Sequence, residues 1–173
     1  MHIPELTRRC WSLIVFSIFV VGIVSPLSVQ AQIVVVVPSS SNVDSLVTKD
    51  LQQIFKGEVA FKREGVPYQI VEFAPVSDKF YKILYNLDAY SIGKHWLRRI
   101  FSGERVLPPK SFSKVDRFEK FLLAHENAIG FMTADAFGKI KRNAVRAVIV
   151  NGCHYQQPEY ALRKPQREPA PQK

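Results

Sequence analysis

Chemistry-bearing residues are scarce in this sequence. It has two cysteines, Cys10 and Cys153, and four histidines among 173 residues. Cys10 falls in a stretch read below as a removable leader, so Cys153 has no partner for an internal disulfide and stability must come from a core. His95, His125 and His154 stand singly, without a second His or Cys at ligand spacing, which argues against a metal site. Only eight glycines occur, and the G-x-S-x-G, G-x-x-x-x-G-K and G-x-G-x-x-G patterns are all missing. No nucleophile, base and metal set can be assembled, so the sequence points away from an enzyme and calls for no cofactor.

Long apolar runs are also lacking. The longest, Trp11 to Val24, is shorter than the ~20 residues that cross a hydrocarbon core. It follows Arg8 and Arg9 and precedes "SPLSVQA", the charged, apolar and cleavable order of a secretory signal peptide. The expectation is a leader at residues 1–31, cleavage after Ala31, an exported protein and no stable membrane span afterwards. Cys10 lies before the apolar run, where it cannot serve as a lipid acceptor.

Acidic residues are in deficit as well: 15 against 24 Lys and Arg, a net charge of +9, or +8 once Glu5, Arg8 and Arg9 are set aside. Such a balance favours encounters with small anions, anionic lipid or envelope polyanions, and solubility alone explains it equally well. No nucleic-acid partner is read from it.

What remains is an alternation of strand and helix patterns. Ile33 to Val37 is continuous and β-branched, a strand buried on both faces. "TKDLQQIFKG" turns Leu51, Ile54 and Phe55 to one helical face, with Thr48 as cap and Gly57 as stop. Tyr68 to Phe73 reads as a strand, and "SDKFYKILYNL" as a helix with Phe80, Ile83, Leu84 and Leu87 inward and Ser77 or Asp78 as cap. "SIGKHWLRRIFSG" is a helix starting at Ser91, with Ile92, Trp96 and Ile100 inward and Gly103 as stop. "SKVDRFEKFLLAH" is a further helix, with His125 at its C-terminus, and "AIGFM" and "VRAVIVNG" are short strands. The pattern predicts an α/β domain with a mixed, mostly parallel sheet flanked by helices over residues 32–153. Residues 154–173, rich in proline and charge, read as a disordered basic tail.

Two helix starts carry hydroxyls that could hold an oxyanion on free backbone N–H groups: Ser39, Ser40, Ser41 and Asn42 before the first helix, and Ser77 with Lys79 before the second. The same residues are ordinary helix caps, and both readings stand.

Four segments together, "IVVVVPSSSNVDSLVTKDLQQIFKGEVAFKREGVPYQIVEF", "SDKFYKILYN", "HWLRRIFSGERVLPPKSF" and "ENAIGFM", resemble the small exported single-lobe relatives of phosphate ABC transporter substrate-binding proteins. The likeness covers Ile33 to Val150. It implies a single lobe of the periplasmic-binding-protein type II architecture, located in the periplasm. Its function would be solute binding related to phosphate transport, with a phosphate-like anion as ligand and an envelope or transporter protein as partner. It assigns the main helix start to "PVSDKF", hence Ser77, Lys79 and Asp78, with Ser39 to Asn42 as secondary contacts. Within the likeness Phe55 and Phe101 pack helix ends onto the sheet, Gly130 allows close backbone approach, and Asn127 takes the place of a turn glycine. The helix start lacks the family's glycine and carries the carboxylate of Asp78, which opens an alternative: a non-catalytic interaction or scaffold module that has lost its ligand.

Overall fold

A computed structural model describes residues 32–58, 67–140 and 143–163, all within one compact unit. The expected leader and the last ten residues of the expected tail lie outside the described residues.

Strand β1 (Ile33–Pro38) is buried along its whole length, as its unbroken apolar run requires. After the two-residue β2 (Ser45–Leu46) comes helix α1 (Thr48–Phe55), whose Leu51, Ile54 and Phe55 are buried. Strand β3 (Gln69–Phe73) runs through a 3-10 turn (Ala74–Val76) straight into α2 (Ser77–Tyr85). Helix α3 (Ala89–Phe101), β4 (Lys110–Phe112), α4 (Val115–Leu123), β5 (Ala128–Thr133), the short α5 (Ala134–Phe137), β6 (Val145–Ala147) and β7 (Ile149–Val150) follow.

The main sheet has the order β4-β3-β5-β1-β6. Strands β4, β3 and β5 are mutually parallel. β1 is antiparallel to both of its neighbours, β5 and β6, so β6 shares the direction of the other three and β1 alone is reversed. β2 and β7 form a separate parallel pair.

Residues of β5 alternate between two covered faces. Phe131 stacks on Phe80 of α2 at 3.8 Å between ring centroids and meets Phe55 of α1 at 5.6 Å. Gly130 faces α4: a Cβ there would come within 2.7 Å of the Val71 carbonyl oxygen and 2.8 Å of the Phe118 ring, so the close approach expected of this glycine is real. Phe73 of β3 meets Phe118 on that same side. Gly57 and Gly103 end α1 and α3 with positive φ, as their stop positions predict.

Several local expectations change. Thr48 is the first helical residue and Val47 the cap; the amide of Asn151 bonds both the Thr48 N–H and its hydroxyl, at 2.8 Å each. Helix α3 starts at Ala89, two residues before Ser91, because Asp88 caps it by accepting from the Ser91 N–H at 2.7 Å. Asn86, in the left-handed conformation, ends α2, so Leu87 lies beyond the helix and is exposed. Ile100 and Phe101 are exposed instead of packed inward, although Ile92 and Trp96 of the same helix are buried. Asn127 is not left-handed; its side-chain amide donates to the Pro67 carbonyl at 2.7 Å.

The expected boundary at His154 also moves. Tyr160 and Leu162 are 2% and 1% exposed, and the 3-10 turn Ala161–Arg163 packs against β1 and α2. Residues 154–163 therefore belong to the folded body, with two apolar anchors inside an otherwise polar segment.

Candidate functional site

The parallel strands β3 and β5 end side by side, since Glu72 is in register with Phe131 and the next residues lead to Ala74 and Thr133. Ligands of open α/β sheets bind at such carboxyl ends, where chain leaves strand for helix with N–H groups unpaired. Here the exit from β3 is "APVSDK". The 3-10 turn merges with α2, so the Ser77 N–H is already bonded to the Ala74 carbonyl. Pro75 has no N–H to give. The Ser77 side chain is buried and its Oγ donates to the Phe73 carbonyl at 3.4 Å, a long bond that a stronger acceptor could replace. Lys79 follows, half-buried. Asp78 is exposed, and its Oδ1 accepts from the Ala89 N–H at 2.9 Å, so this carboxylate helps hold the start of α3.

β1 begins at this same end, because Ile33 is in register with Thr133. Gln32 accepts the Ala134 N–H on its backbone carbonyl at 2.8 Å, and its side-chain Oε1 accepts from Arg163 Nη2 at 3.1 Å. The Nε2 of that amide is buried and has no hydrogen-bond partner among the described residues. Gln32 and the guanidinium of Arg163 thus join Ser77 at one end of the sheet. The Thr133 hydroxyl is occupied, accepting from the Ala136 N–H at 3.0 Å. Below this end Glu72 accepts from the Tyr81 hydroxyl; burial raises the Glu72 carboxyl above its ordinary range and the Tyr81 bond opposes that rise in part. Burial also pushes the Tyr81 phenol well up.

The serine run lies elsewhere. Because β1 is reversed, Pro38 leaves the sheet at the end where β3 and β5 begin, roughly six residues of strand, or ~20 Å, from Ala74. Ser39, Ser40 and Asn42 are exposed there; Ser39 donates its N–H to Ala144 at 2.9 Å, and Ser41, buried, accepts from the Val43 N–H on its hydroxyl at 3.3 Å. Arg146 bonds the Ser41 carbonyl and the Asp44 carboxylate. The expectation that Ser39 to Asn42 contact the same ligand as Ser77 is therefore corrected: the strand direction separates them, and the serine loop is a turn fastened by an arginine.

A cavity of about 290 Å³ opens between the end of α1, the start of β3 and α3, lined among others by Gly57, Tyr68, Trp96, Arg99 and Arg105. Arg99 is committed there, donating to the Lys56 carbonyl at 2.6 Å and to Glu104 at 2.7 Å. Among the described residues no group of three or more His, Cys, Asp or Glu could hold a metal ion, and no helix is long and apolar enough to cross a membrane.

Gln32 and Arg163 were missed by sequence reasoning. Gln32 drew attention only as the residue after the cleavage point, and Arg163 sits in a segment whose composition resembles a tail; Tyr160 and Leu162, apolar residues two apart in "EYALR", were the available signal.

No family model and no curated protein matches the chain. Solved structures do. A chain from Clostridium perfringens, assigned as a phosphate ABC transporter substrate-binding protein and solved with phosphate bound, aligns at TM-score 0.54 and 18% identity, over 72% of this chain and 46% of that one. The fold is shared with about half of that chain. A candidate phosphate-binding protein from Planctomyces limnophilus aligns at TM-score 0.50 and 12% identity over 69% of this chain and 41% of that one. An ABC-type phosphate transport receptor from Vibrio cholerae gives TM-score 0.47 and 15% identity over 76% and 52%. The chain thus spans less than half the length of the two solved chains that it matches at TM-score 0.50 or above.

Proposed function

We propose that this is an exported, periplasmic solute-binding-like protein related to phosphate ABC transport, which takes a small oxyanion at the end of the sheet where Ser77, Lys79, Gln32 and Arg163 lie. The observation that carries the reading is the buried, unpaired Nε2 of Gln32 beside the Arg163 guanidinium, at the carboxyl end of β3 and β5. A buried donor left without an acceptor costs ~1–3 kcal/mol, which an anion oxygen would relieve. The fold shared with a phosphate-bound structure supports the class of ligand.

Calorimetry and thermal shift with phosphate, sulfate and phosphonates test it. Phosphate should raise the melting temperature in a concentration-dependent way, and Arg163→Ala should weaken that response. No heat and no shift with any of these anions, at protein concentrations that detect micromolar affinity, would defeat it.

One observation favours a second reading, an interaction module without a ligand: Pro75 removes a donor, the Ser77 N–H is used internally and Asp78 is spent on α3. On that reading Ser77→Ala and Lys79→Ala leave activity in the host unchanged.

A further inference from the structure

Helix α3 carries two apolar faces where a peripheral helix of a monomer needs one. Ile92 and Trp96 turn inward, and on the far side Tyr90, Leu97 and Phe101 are 69%, 54% and 86% exposed, with Ile100, 42% exposed, between the two. At 100° per residue Tyr90, Leu97 and Phe101 fall on one line along ~16 Å of helix, with Ile100 and Gly93 on one flank and Lys94 and Arg98 on the other. The Lys94 ammonium sits 4.4 Å from the centroid of the Tyr90 ring, a cation lying along an apolar body.

Helix α3 contains no Asp or Glu. At its start Asp78 and Asp88 accept from the Ala89 and Ser91 N–H groups, and beyond its end Glu104 is paired with Arg99 at 2.6 Å.

We propose that this face of α3 docks on the surface of an anionic phospholipid bilayer, lying in the interfacial plane with Tyr90, Leu97 and Phe101 at the headgroup boundary and Lys94 and Arg98 on lipid phosphates. Charge complementarity selects this occupant. A central apolar line with cations along one flank, on a helix that carries no Asp or Glu, is the composition of interfacial helices. A second copy of the chain fits less well, because an antiparallel two-fold pairing of this face would bring the Lys94 and Arg98 flanks of the two copies together. The surface is remote from the argument for an oxyanion at Ser77 and stands without it.

The test is co-sedimentation of the chain, as recovered from its host, with vesicles of equal parts phosphatidylcholine and phosphatidylglycerol, beside vesicles of phosphatidylcholine alone. Binding should require the anionic lipid and fall as salt is raised. The pair Leu97→Ser and Phe101→Ser should weaken it roughly tenfold or more, and Arg98→Glu by more than fivefold. Lys120→Glu, an equal charge reversal on the exposed side of α4, should change it less than twofold. The four chains share every other segment, so their ratios read α3 alone, and matching melting temperatures exclude misfolding. Equal binding by wild type and the α3 variants would overturn the proposal, as would absence of binding. Self-association abolished by Phe101→Ser without any lipid binding would overturn it too, in favour of a protein interface.

Discussion

The two ends of the central sheet invert what the sequence advertises. One end receives Ser39, Ser40, Ser41 and Asn42, the densest run of hydroxyl and amide side chains in the chain, and uses them for a turn that Arg146 ties to Ser41 and Asp44. The other end receives an alanine, a proline, a valine and one buried serine, yet it collects the carboxyl ends of β3 and β5, the Arg163 guanidinium and the buried Gln32 Nε2, which has no partner among the described residues. The difference comes from one strand direction. Polar density along a chain locates turns; convergence of unrelated segments locates sites, and convergence depends on topology.

Both ends hang on one aromatic stack, so its removal should produce the largest effect. Phe131 joins Phe55 of α1 and Phe80 of α2 to the sheet, and Phe131→Ala should destabilise the protein by ~3–5 kcal/mol in urea unfolding. A loss below ~1 kcal/mol would mean that the helices are held by something other than this stack.

Next in size is the contrast between the ends themselves. If the Ser77 end holds the anion, Ser77→Ala and Arg163→Ala should each weaken phosphate binding roughly ten- to a hundredfold, the range for a hydrogen bond to a charged group. Arg146→Ala at the serine end should leave the affinity unchanged while loosening the loop. Isothermal titration of the three variants decides, and a loss confined to Arg146→Ala would reverse the assignment.

Much of this architecture was legible beforehand for a physical reason: the inward faces of α1, α2 and α4 repeat at helical spacing, as Leu51, Ile54 and Phe55 or Phe80, Ile83 and Leu84 do, and burial enforces that spacing. Strand direction has no such local signature. "IVVVV" reports that both faces of β1 are covered, and it would read the same in either orientation. The proposed site suffered most from this, because residues 32, 77 and 163 are far apart in sequence and share one end of the sheet only through register. Phe101 and Ile100 misled for a related reason: apolar character says that a residue avoids water and leaves open whether its own chain supplies the cover.

Asp78 offers a finer test. Its bond to the Ala89 N–H makes it a positioning residue for α3, so Asp78→Asn should cost ~1 kcal/mol or less, the scale of a capping interaction, and leave phosphate affinity nearly unchanged. Were the carboxylate instead facing the anion, neutralising it would raise affinity markedly. Thermal melts with and without phosphate separate these outcomes.

The smallest effects compare one carboxylate near each end. Asp44, at the serine end, is highly exposed and paired with Arg146, so Asp44→Asn should change stability by less than ~1 kcal/mol at any pH, as surface pairs do. Glu72, one residue before β3 finishes, is half-buried beside Tyr81 and its carboxyl is raised above the ordinary 4.5 by loss of solvent. The native chain therefore keeps this proton over a range where the unfolded chain has released it. Binding more protons than the unfolded state, it loses stability as pH rises from about 4.5 through the raised native value. Glu72→Gln keeps an acceptor for the Tyr81 hydroxyl and removes the titration, so urea midpoints measured across that window should vary less with pH than in the wild type, and lie slightly higher above it. Equal pH slopes in the two proteins would show that Glu72 is solvated in the native state, and the end of the sheet that bears Ser77 would then be wetter than its packing indicates.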